Sequence, residues 1–242
     1  MKTVAIMGSK PDSILPDSDR IYFVNGSVIL YRDQISDDSR IVNVLNGNGI
    51  RNYERIELYQ ESGAPIGTLI SDMDKYNGTR FILYNTEENE SVNILLDLGV
   101  KPENIRVIGR AERDEILKRY TGYRMPLGAF GAWRELSLYE FARLCYAGII
   151  KRNIYYKKDF SPYLRPSSGI FAVLFAIDEN GFDSRYEIAG ISFQRRDTYK
   201  VNNKVVRTDM VNKINLQWHI IPDKKVIRKL QKNSELSLRI NG

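Results

Sequence analysis

The only histidine of the chain, His219, and a serine-rich turn, Pro166-Ser167-Ser168-Gly169, are the two segments whose residue types fit a chemical reaction. An imidazole has an unperturbed pKa of ~6.5 and can take up a proton near neutral pH. The turn precedes a continuous apolar run, an arrangement typical of an anion-binding helix start. A base and an anion site together favour group transfer. The structural alternative is that His219 ends a half-buried strand and that the turn only caps a helix.

Two further polar segments follow predicted strands near the N-terminus. Gly8-Ser9-Lys10-Pro11-Asp12-Ser13 directly follows the first strand, and Asn25 ends the second. Ligands of open α/β sheets bind beyond the carboxyl ends of the strands, so both segments are candidates for nucleotide contact. The loop is neither Gly-x-Gly-x-x-Gly nor a Walker loop, which argues against a dinucleotide oxidoreductase or a P-loop nucleotidase. A turn role for Asn25, which stands before Gly26, remains open.

The elements that must position these residues alternate between short apolar β-rich runs and helical patterns. Strands are predicted at residues 3–7, 20–25, 40–45, 79–85, 104–108 and 186–193. Helices are predicted at residues 53–60, 91–98, 112–120, 136–150, 170–177 and 222–234. The alternation predicts an α/β fold with a mostly parallel central sheet and helices on both faces. We expect one domain over residues 1–242, with the polar, basic segment 194–216 as a mobile lid.

Composition and charge narrow the classes of partner. The 36 Lys and Arg residues exceed the 30 Asp and Glu residues, and the net charge of +6 favours anionic partners. One cysteine, Cys145, and one histidine argue against a zinc site, and helical spacing predicts Cys145 to be a buried structural thiol. The N-terminus enters a strand directly, and no apolar run approaches the ~18–20 residues of a membrane span. We therefore expect a cytoplasmic protein.

Taken together, the motifs resemble those of the sialyltransferase-type glycosyltransferases, especially the bacterial enzymes that use CMP-sialic acid. In chain order they are Gly8-Ser9-Lys10-Pro11-Asp12-Ser13, Asn25, Pro166-Ser167-Ser168-Gly169, Gly190-Ile191-Ser192-Phe193, and His219 with Asp223 and Leu230. They span nearly the whole chain, although each is short. The resemblance implies a single Rossmann-like domain, a GT-A-like variant, with a lid over the donor. It also implies a CMP-activated acidic sugar, inversion at the anomeric carbon, and no metal or other cofactor.

The resemblance assigns roles to individual residues. Gly8 and Ser9 correspond to the first-strand loop, and Asn25 corresponds to the asparagine that contacts the cytidine nucleotide. Ser168 and Gly169, preceded by Ser167, correspond to the Ser-Gly that binds the donor at a helix start. His219 corresponds to the general base.

The chain also departs from the family pattern. Ser9 and Lys10 replace an asparagine and a glycine of the loop. Phe193-Gln194 stands where close relatives have Phe-Tyr, whose tyrosine helps to hold the leaving phosphate. Tyr199, in the lid candidate, is the residue that we consider as a replacement for that hydroxyl.

The predicted function is therefore transfer of sialic acid or Kdo from a CMP donor to a glycan or glycolipid hydroxyl. Three alternatives stay open: a similar transferase that uses another nucleotide sugar, a nucleotide-binding protein without turnover, and a non-catalytic nucleic-acid-binding protein. The last is prompted by a pI of about 9.2 and by 15 tyrosines. Because the basic residues are spread along the chain and no aromatic-interleaved recognition motif occurs, we expect no nucleic-acid partner.

The basic helix at residues 222–234 has two interpretations. Its cationic residues, with Val226, Ile227 and Leu230, fit an amphipathic helix that lies on an anionic membrane carrying the acceptor. Alternatively, the apolar stripe packs on the domain and the lysines face water. Peripheral contact with the inner membrane face is thus an expectation, and the sequence specifies no oligomeric state.

Overall fold

The computed structural model describes residues 1–10, 13–52, 65–85, 90–125, 127, 138, 142, 165–191, 193, 198–201, 204–207 and 219–241. Within them, the strands are β1 Thr3–Met7, β2 Arg20–Val24, β3 Ile41–Asn46, β4 Arg80–Tyr84, β5 Ile105–Ile108, β6 Arg185–Ala189, β7 Thr198–Val201, β8 Lys204–Arg207 and β9 Ser237–Ile240. The α-helices are α1 Gly47–Asn52, α2 Pro65–Ser71, α3 Glu90–Asp97, α4 Arg110–Thr121, α5 Ser168–Asn180 and α6 Ile220–Gln231. Short 3-10 helices occupy Ser27–Leu30, Arg32–Gln34, Asp38–Arg40, Met73–Lys75 and Pro102–Asn104.

Seven strands form one sheet in the order β5-β4-β3-β2-β1-β6-β9, and all neighbouring pairs are parallel. The chain moves outward from β1 to β5 and then returns to the other side of β1 with β6. The carboxyl ends of β1 and β6 are therefore the topological switch point, where ligands bind in sheets of this type. The predicted α/β fold class is confirmed.

The alternation of side chains along the strands produces a core on each face of the sheet. In β1, Val4 and Ile6 belong to one core, Ala5 and Met7 belong to the other, and all four are fully buried. Helices α4, α5 and α6 cover the first face, and α2 and α3 cover the second. Because both faces are covered, the central strands β1, β2 and β4 each carry a run of four buried apolar residues, which made them recognisable in the sequence.

Helix α5 is the central helix of the first face. Its residues from 169 to 177 are all buried, and the rings of Phe171 and Phe175 lie 5.5 and 5.6 Å from that of Tyr84 at the end of β4. The helix predicted over residues 170–177 is confirmed, and it begins at Ser168. Ser167 is the N-cap residue, but its side chain makes no capping hydrogen bond. The start of the helix is therefore fixed by other contacts.

Ion pairs fix the opposite end of α5. Glu179 accepts hydrogen bonds from the Tyr22 hydroxyl at 2.7 Å, from Arg80 at 3.2 Å and from Arg106 at 3.1 Å. Asp178 pairs with Arg106 at 3.2 Å and with Arg119 at 2.8 Å. These contacts join α5 to the amino-terminal side of the sheet, so its first turn is held at the carboxyl edge.

Several predicted boundaries were wrong. The strand predicted over residues 186–193 ends at Ala189, because Gly190 has a φ of 70° that leaves the extended conformation. The helix predicted at 222–234 runs from Ile220 to Gln231; Pro222 lies inside its first turn, where no amide proton is needed. Helices α1 and α2 and strand β9 were not predicted from the sequence.

Part of the lid candidate 194–216 has regular secondary structure where an irregular loop was expected, and its role as a lid stays a prediction. Strands β7 and β8 lie within that segment and pair antiparallel, with Thr198 opposite Arg207 and Val201 opposite Lys204. The β-forming residues of Thr198–Val201 and Lys204–Arg207 support a hairpin, a signal that the overall polarity of the segment concealed. The helix predicted at 53–60 lies outside the described residues. The same holds for the helix predicted at 136–150, which contains Cys145, except that Leu138 and Ala142 are described.

Candidate active site

The carboxyl ends of β1 and β6 meet at two glycines. The Gly8 amide donates to the carbonyl of Ala189 at 2.9 Å, and the Lys10 amide donates to that of Gly190 at 2.9 Å. A Cβ atom on Gly8 would lie 2.2 Å from the carbonyl oxygen of Gly190, and one on Gly190 would lie 2.4 Å from that of Gly8. Gly8 and the partly exposed Ser9 thus lie at the switch point, where the sequence analysis expected a ligand.

Asn25 directly follows β2 and has a φ of 49°, a left-handed conformation that is uncommon outside glycine and asparagine. Its side-chain Oδ1 is buried and has no hydrogen-bond partner among the described residues. Ser27 fixes the adjacent backbone, since its Oγ accepts from the Val24 amide at 3.0 Å and donates to the Met7 carbonyl at 2.8 Å. Buried polar atoms usually have partners, so this Oδ1 is a candidate for a contact that a ligand would complete.

The start of α5 carries a second set of polar groups. The Tyr84 hydroxyl donates to Oγ of Ser168 at 2.6 Å. Burial raises the pKa of Tyr84, so the phenol keeps its proton, and the hydroxyl proton of Ser168 can be directed to a ligand. Gly169 allows Ile191 to approach closely, because a Cβ atom there would lie 2.9 Å from Cδ1 of Ile191. The first amides of α5 have no acceptor within the helix, and the helix dipole favours an anion there.

Replacing Tyr84 by phenylalanine should keep the ring packing and remove the hydrogen bond to Ser168. We expect the free energy of unfolding to fall by ~1 kcal/mol, the usual net value of one hydrogen bond, and the KM for an anionic substrate bound at this helix start to rise several-fold. The control is Tyr22→Phe, which removes a hydroxyl at the opposite edge of the sheet. Denaturant unfolding and steady-state kinetics of both variants check this; an equal change of KM in both would contradict it.

His219 is the N-cap residue of α6, and its Nδ1 lies 2.9 Å from the carbonyl oxygen of Arg165. A carbonyl can only accept, so Nδ1 carries the proton and Nε2 has the free lone pair. Burial and, to a smaller extent, the positive charge of Arg165 lower the pKa of His219 to about 4, against the opposing effect of its hydrogen bond to Arg165. At neutral pH the side chain is an uncharged imidazole that can accept a proton at Nε2.

Two residues near His219 were not assigned a role from the sequence. The buried Asp223 accepts a hydrogen bond from the Ser167 amide at 2.7 Å. Burial raises its pKa to about 7, although the hydrogen bonds of Ser167 and the charge of Arg165 act in the opposite direction. Arg165 lies close to both ionisable groups, and its Nε is buried with no partner in the described part of the chain. In the sequence, the only sign that Asp223 and Arg165 belong to the site was that each lies next to a predicted motif.

The described contacts do not test the roles predicted for Phe193 and Tyr199. Phe193 is partly buried and packs on the core around α5. Tyr199 belongs to β7, where it pairs with Val206, and its side chain lies outside the described part of the structure. The roles of both residues therefore stay predictions.

The described residues also bear on metal binding and on the membrane. In the described residues, no group of three or more His, Cys, Asp or Glu side chains is arranged to hold a metal ion. Likewise, no helix that the structure describes has the length and apolar character needed to cross a membrane. The apolar residues Val226, Ile227 and Leu230 of α6 are buried against the core, so the packing alternative for this helix is the one observed.

A parallel α/β sheet with helices on both faces and polar groups gathered beyond its switch point belongs to the doubly wound class of ligand-binding folds. No family model and no curated protein matches the chain. Among solved structures, the chain is similar to the sialyltransferase CstII from Campylobacter jejuni in complex with the substrate analogue CMP-3FNeuAc. The two are 15% identical, the TM-score is 0.45, and the similarity covers 99% of this chain and 80% of that chain.

Proposed function

We propose that the chain is an inverting, metal-independent glycosyltransferase. It moves an acidic sugar, sialic acid or Kdo, from its CMP donor to a hydroxyl of a glycan or glycolipid. The observation that carries the proposal is the state of His219, a neutral imidazole whose Nδ1 is held by the Arg165 carbonyl beside the start of a buried helix. The short motifs that resemble the sialyltransferases support the same family.

His219 is the base of the proposed reaction. Its Nε2 takes the proton of the acceptor hydroxyl, and the acceptor oxygen forms a bond to the anomeric carbon of the sugar. The bond between that carbon and the phosphate oxygen breaks, and CMP leaves with the electron pair. Attack from the face opposite to CMP inverts the anomeric centre. A base positioned in this way contributes ~10²–10⁴-fold in rate.

The leaving phosphate gains negative charge as this bond breaks. The amides of the first turn of α5 and the hydroxyl of Ser168, which Tyr84 leaves free to donate, point to an anion-binding role for this helix start. Arg165 adds a positive charge in the same cluster. These groups supply the stabilisation without a metal ion, which is the basis for proposing that the reaction needs no metal.

Asn25 is the proposed contact to the base of the nucleotide. Cytosine carries an exocyclic amine that donates hydrogen bonds, whereas uracil has a carbonyl oxygen at that position. The buried Oδ1 of Asn25 is an acceptor without a partner among the described residues and therefore suits cytosine and disfavours uracil. The donor preference for CMP over UDP would follow from this single acceptor.

Calorimetric titration of the protein with CMP, CDP, UDP and GDP in the presence of EDTA tests the proposal first. We expect CMP to bind without metal and UDP and GDP to bind at least ~10-fold more weakly, the cost of an unpaired buried polar group. The matched variant is Asn25→Gly, which removes the amide but accepts the left-handed conformation without strain. It should lose the preference for CMP while remaining folded.

Other outcomes would favour the alternatives. A preference for UDP or GDP would leave a transferase with another nucleotide sugar. Steep salt-dependent affinity for RNA or DNA, unaffected by CMP, would identify a nucleic-acid-binding protein. CMP binding without transfer from CMP-sialic acid or CMP-Kdo to glycan acceptors would indicate a protein that binds nucleotide without turnover.

We expect the protein to act in the cytoplasm. Since the apolar stripe of α6 is buried, contact with a membrane that carries a glycolipid acceptor would be electrostatic, through exposed cations such as Arg228 and Lys229. Binding to anionic vesicles should then disappear at high salt, as sedimentation with and without ~0.5 M NaCl would reveal.

A further inference from the structure

Two hydrogen bonds join the start of α6 to the segment that leads into α5. His219 Nδ1 donates to the carbonyl of Arg165 at 2.9 Å, and Asp223 Oδ1 accepts from the amide of Ser167 at 2.7 Å. Within α6, the Asp223 amide donates to the His219 carbonyl at 2.9 Å. Together with the main chain, the three contacts form a closed ring. One side of the ring is the segment from Arg165 through the buried Pro166 to Ser167, and the other side is the first turn of α6.

We propose that Asp223 is a positioning residue. It joins the Arg165 carbonyl, which orients His219, to the first turn of α5 so that the two form one rigid unit. This inference rests on the proposed function, because it assigns Asp223 a role in the same site. Asp223 does not touch the reacting atoms. It acts through the main chain of residues 165–168, so that the base and the anion-binding helix start keep a fixed separation.

The geometry favours this role over simple helix stabilisation. An aspartate in the first turn commonly interacts with the free amides and the dipole of its own helix. The Asp223 carboxylate instead points to the Ser167 amide, an N-cap amide of a different helix. Asp223 is only 3% exposed, so its carboxyl group is committed to this contact. Burying an acidic group is costly, and here the hydrogen bond to a second chain segment offsets part of that cost.

The role can be tested with Asp223→Ala and Asp223→Asn. Alanine removes the acceptor, whereas asparagine keeps an oxygen at the same place without a charge. We expect Asp223→Ala to lower kcat ~10–100-fold, as a displacement of about 1 Å does, and to change CMP affinity less than 3-fold. Asp223→Asn should keep kcat within ~3-fold of the unchanged protein. Asp97→Ala, at an exposed position of α3, is the control for loss of a carboxylate.

Nuclear magnetic resonance of the ring protons of His219 provides a second measurement, because this is the only histidine of the chain. In Asp223→Ala the loosened segment should expose the imidazole, and the pKa of His219 should move from about 4 toward its ordinary value. Asp223→Asn and Asp97→Ala should keep the pKa low. If the alanine variant does not fold, the asparagine variant still decides the question through kcat and the pKa of His219.

An equal loss of kcat in the asparagine and alanine variants would overturn the proposal, because charge and not hydrogen-bond acceptance would then matter. An unchanged His219 signal in a folded Asp223→Ala variant would overturn it as well. These outcomes are separate from the failure of the proposed function. If the unchanged protein transfers no sugar, the resonance of His219 still reports whether Asp223 positions it.

Discussion

His219→Ala should lower kcat for sugar transfer by ~10²–10⁴-fold and leave the affinity for CMP nearly unchanged. In the proposed mechanism the base acts on the acceptor hydroxyl, whereas the nucleotide would bind at the strand ends and at the start of α5. Steady-state kinetics with a CMP-activated sugar, together with calorimetric titration of CMP, separates the two effects.

The matched control is His219→Asn. Its side-chain amide can donate to the Arg165 carbonyl as Nδ1 of His219 does, but it has no basic nitrogen in the place of Nε2. The kcat of both variants should therefore fall by the same factor, while the asparagine variant should have the higher free energy of unfolding. A rate near that of the unchanged protein in His219→Asn would contradict the assignment of the base and would leave His219 with a structural role.

The same residue should respond to the donor. In the unliganded protein, burial followed by the charge of Arg165 keeps the pKa of His219 at about 4. A donor analogue brings a phosphate and a carboxylate, whose negative charges offset that of Arg165 and favour the imidazolium. The pKa should then rise toward the neutral range, which makes the imidazole a stronger base when the substrate is bound.

Gly190→Ala should destabilise the fold by several kcal/mol, because the conformational cost and the steric cost add at this position. Its φ of 70° costs an alanine ~1–2 kcal/mol, and the new Cβ would lie 2.4 Å from the carbonyl oxygen of Gly8. Displacing that backbone adds ~1–3 kcal/mol of overpacking. Because the Gly8 loop lies at the switch point, CMP affinity should fall as well.

Gly122→Ala is the control for this prediction. Gly122 has a φ of 73° and nothing within 4 Å of the position of a Cβ atom, so it isolates the conformational cost. It should lose only ~1–2 kcal/mol and leave CMP affinity unchanged. Urea unfolding of both variants gives the comparison. Equal midpoints would mean that the close approach of the ends of β1 and β6 does not add to the cost of the substitution.

The local sequence predicted secondary structure correctly where burial left a continuous apolar run. β1 was predicted with its observed bounds, and α5 was recognised from the apolar run after Ser168. It predicted secondary structure wrongly where a polar segment forms strands. β7 and β8 lie in a segment that was predicted to be a loop because it is polar, basic and poor in large apolar residues.

The chemistry of His219, Ser168 and Asn25 followed from residue type and from the ends of predicted elements. The sequence alone thus determined which residues are candidates for a base, an anion contact and a nucleotide contact. The tertiary structure decided which of them meet. The Arg165 carbonyl, the Ser167 amide and the backbones of Gly8 and Gly190 carry the positioning contacts. Main-chain atoms are the same in every residue, so no pattern of side chains could have revealed these contacts before the chain was folded.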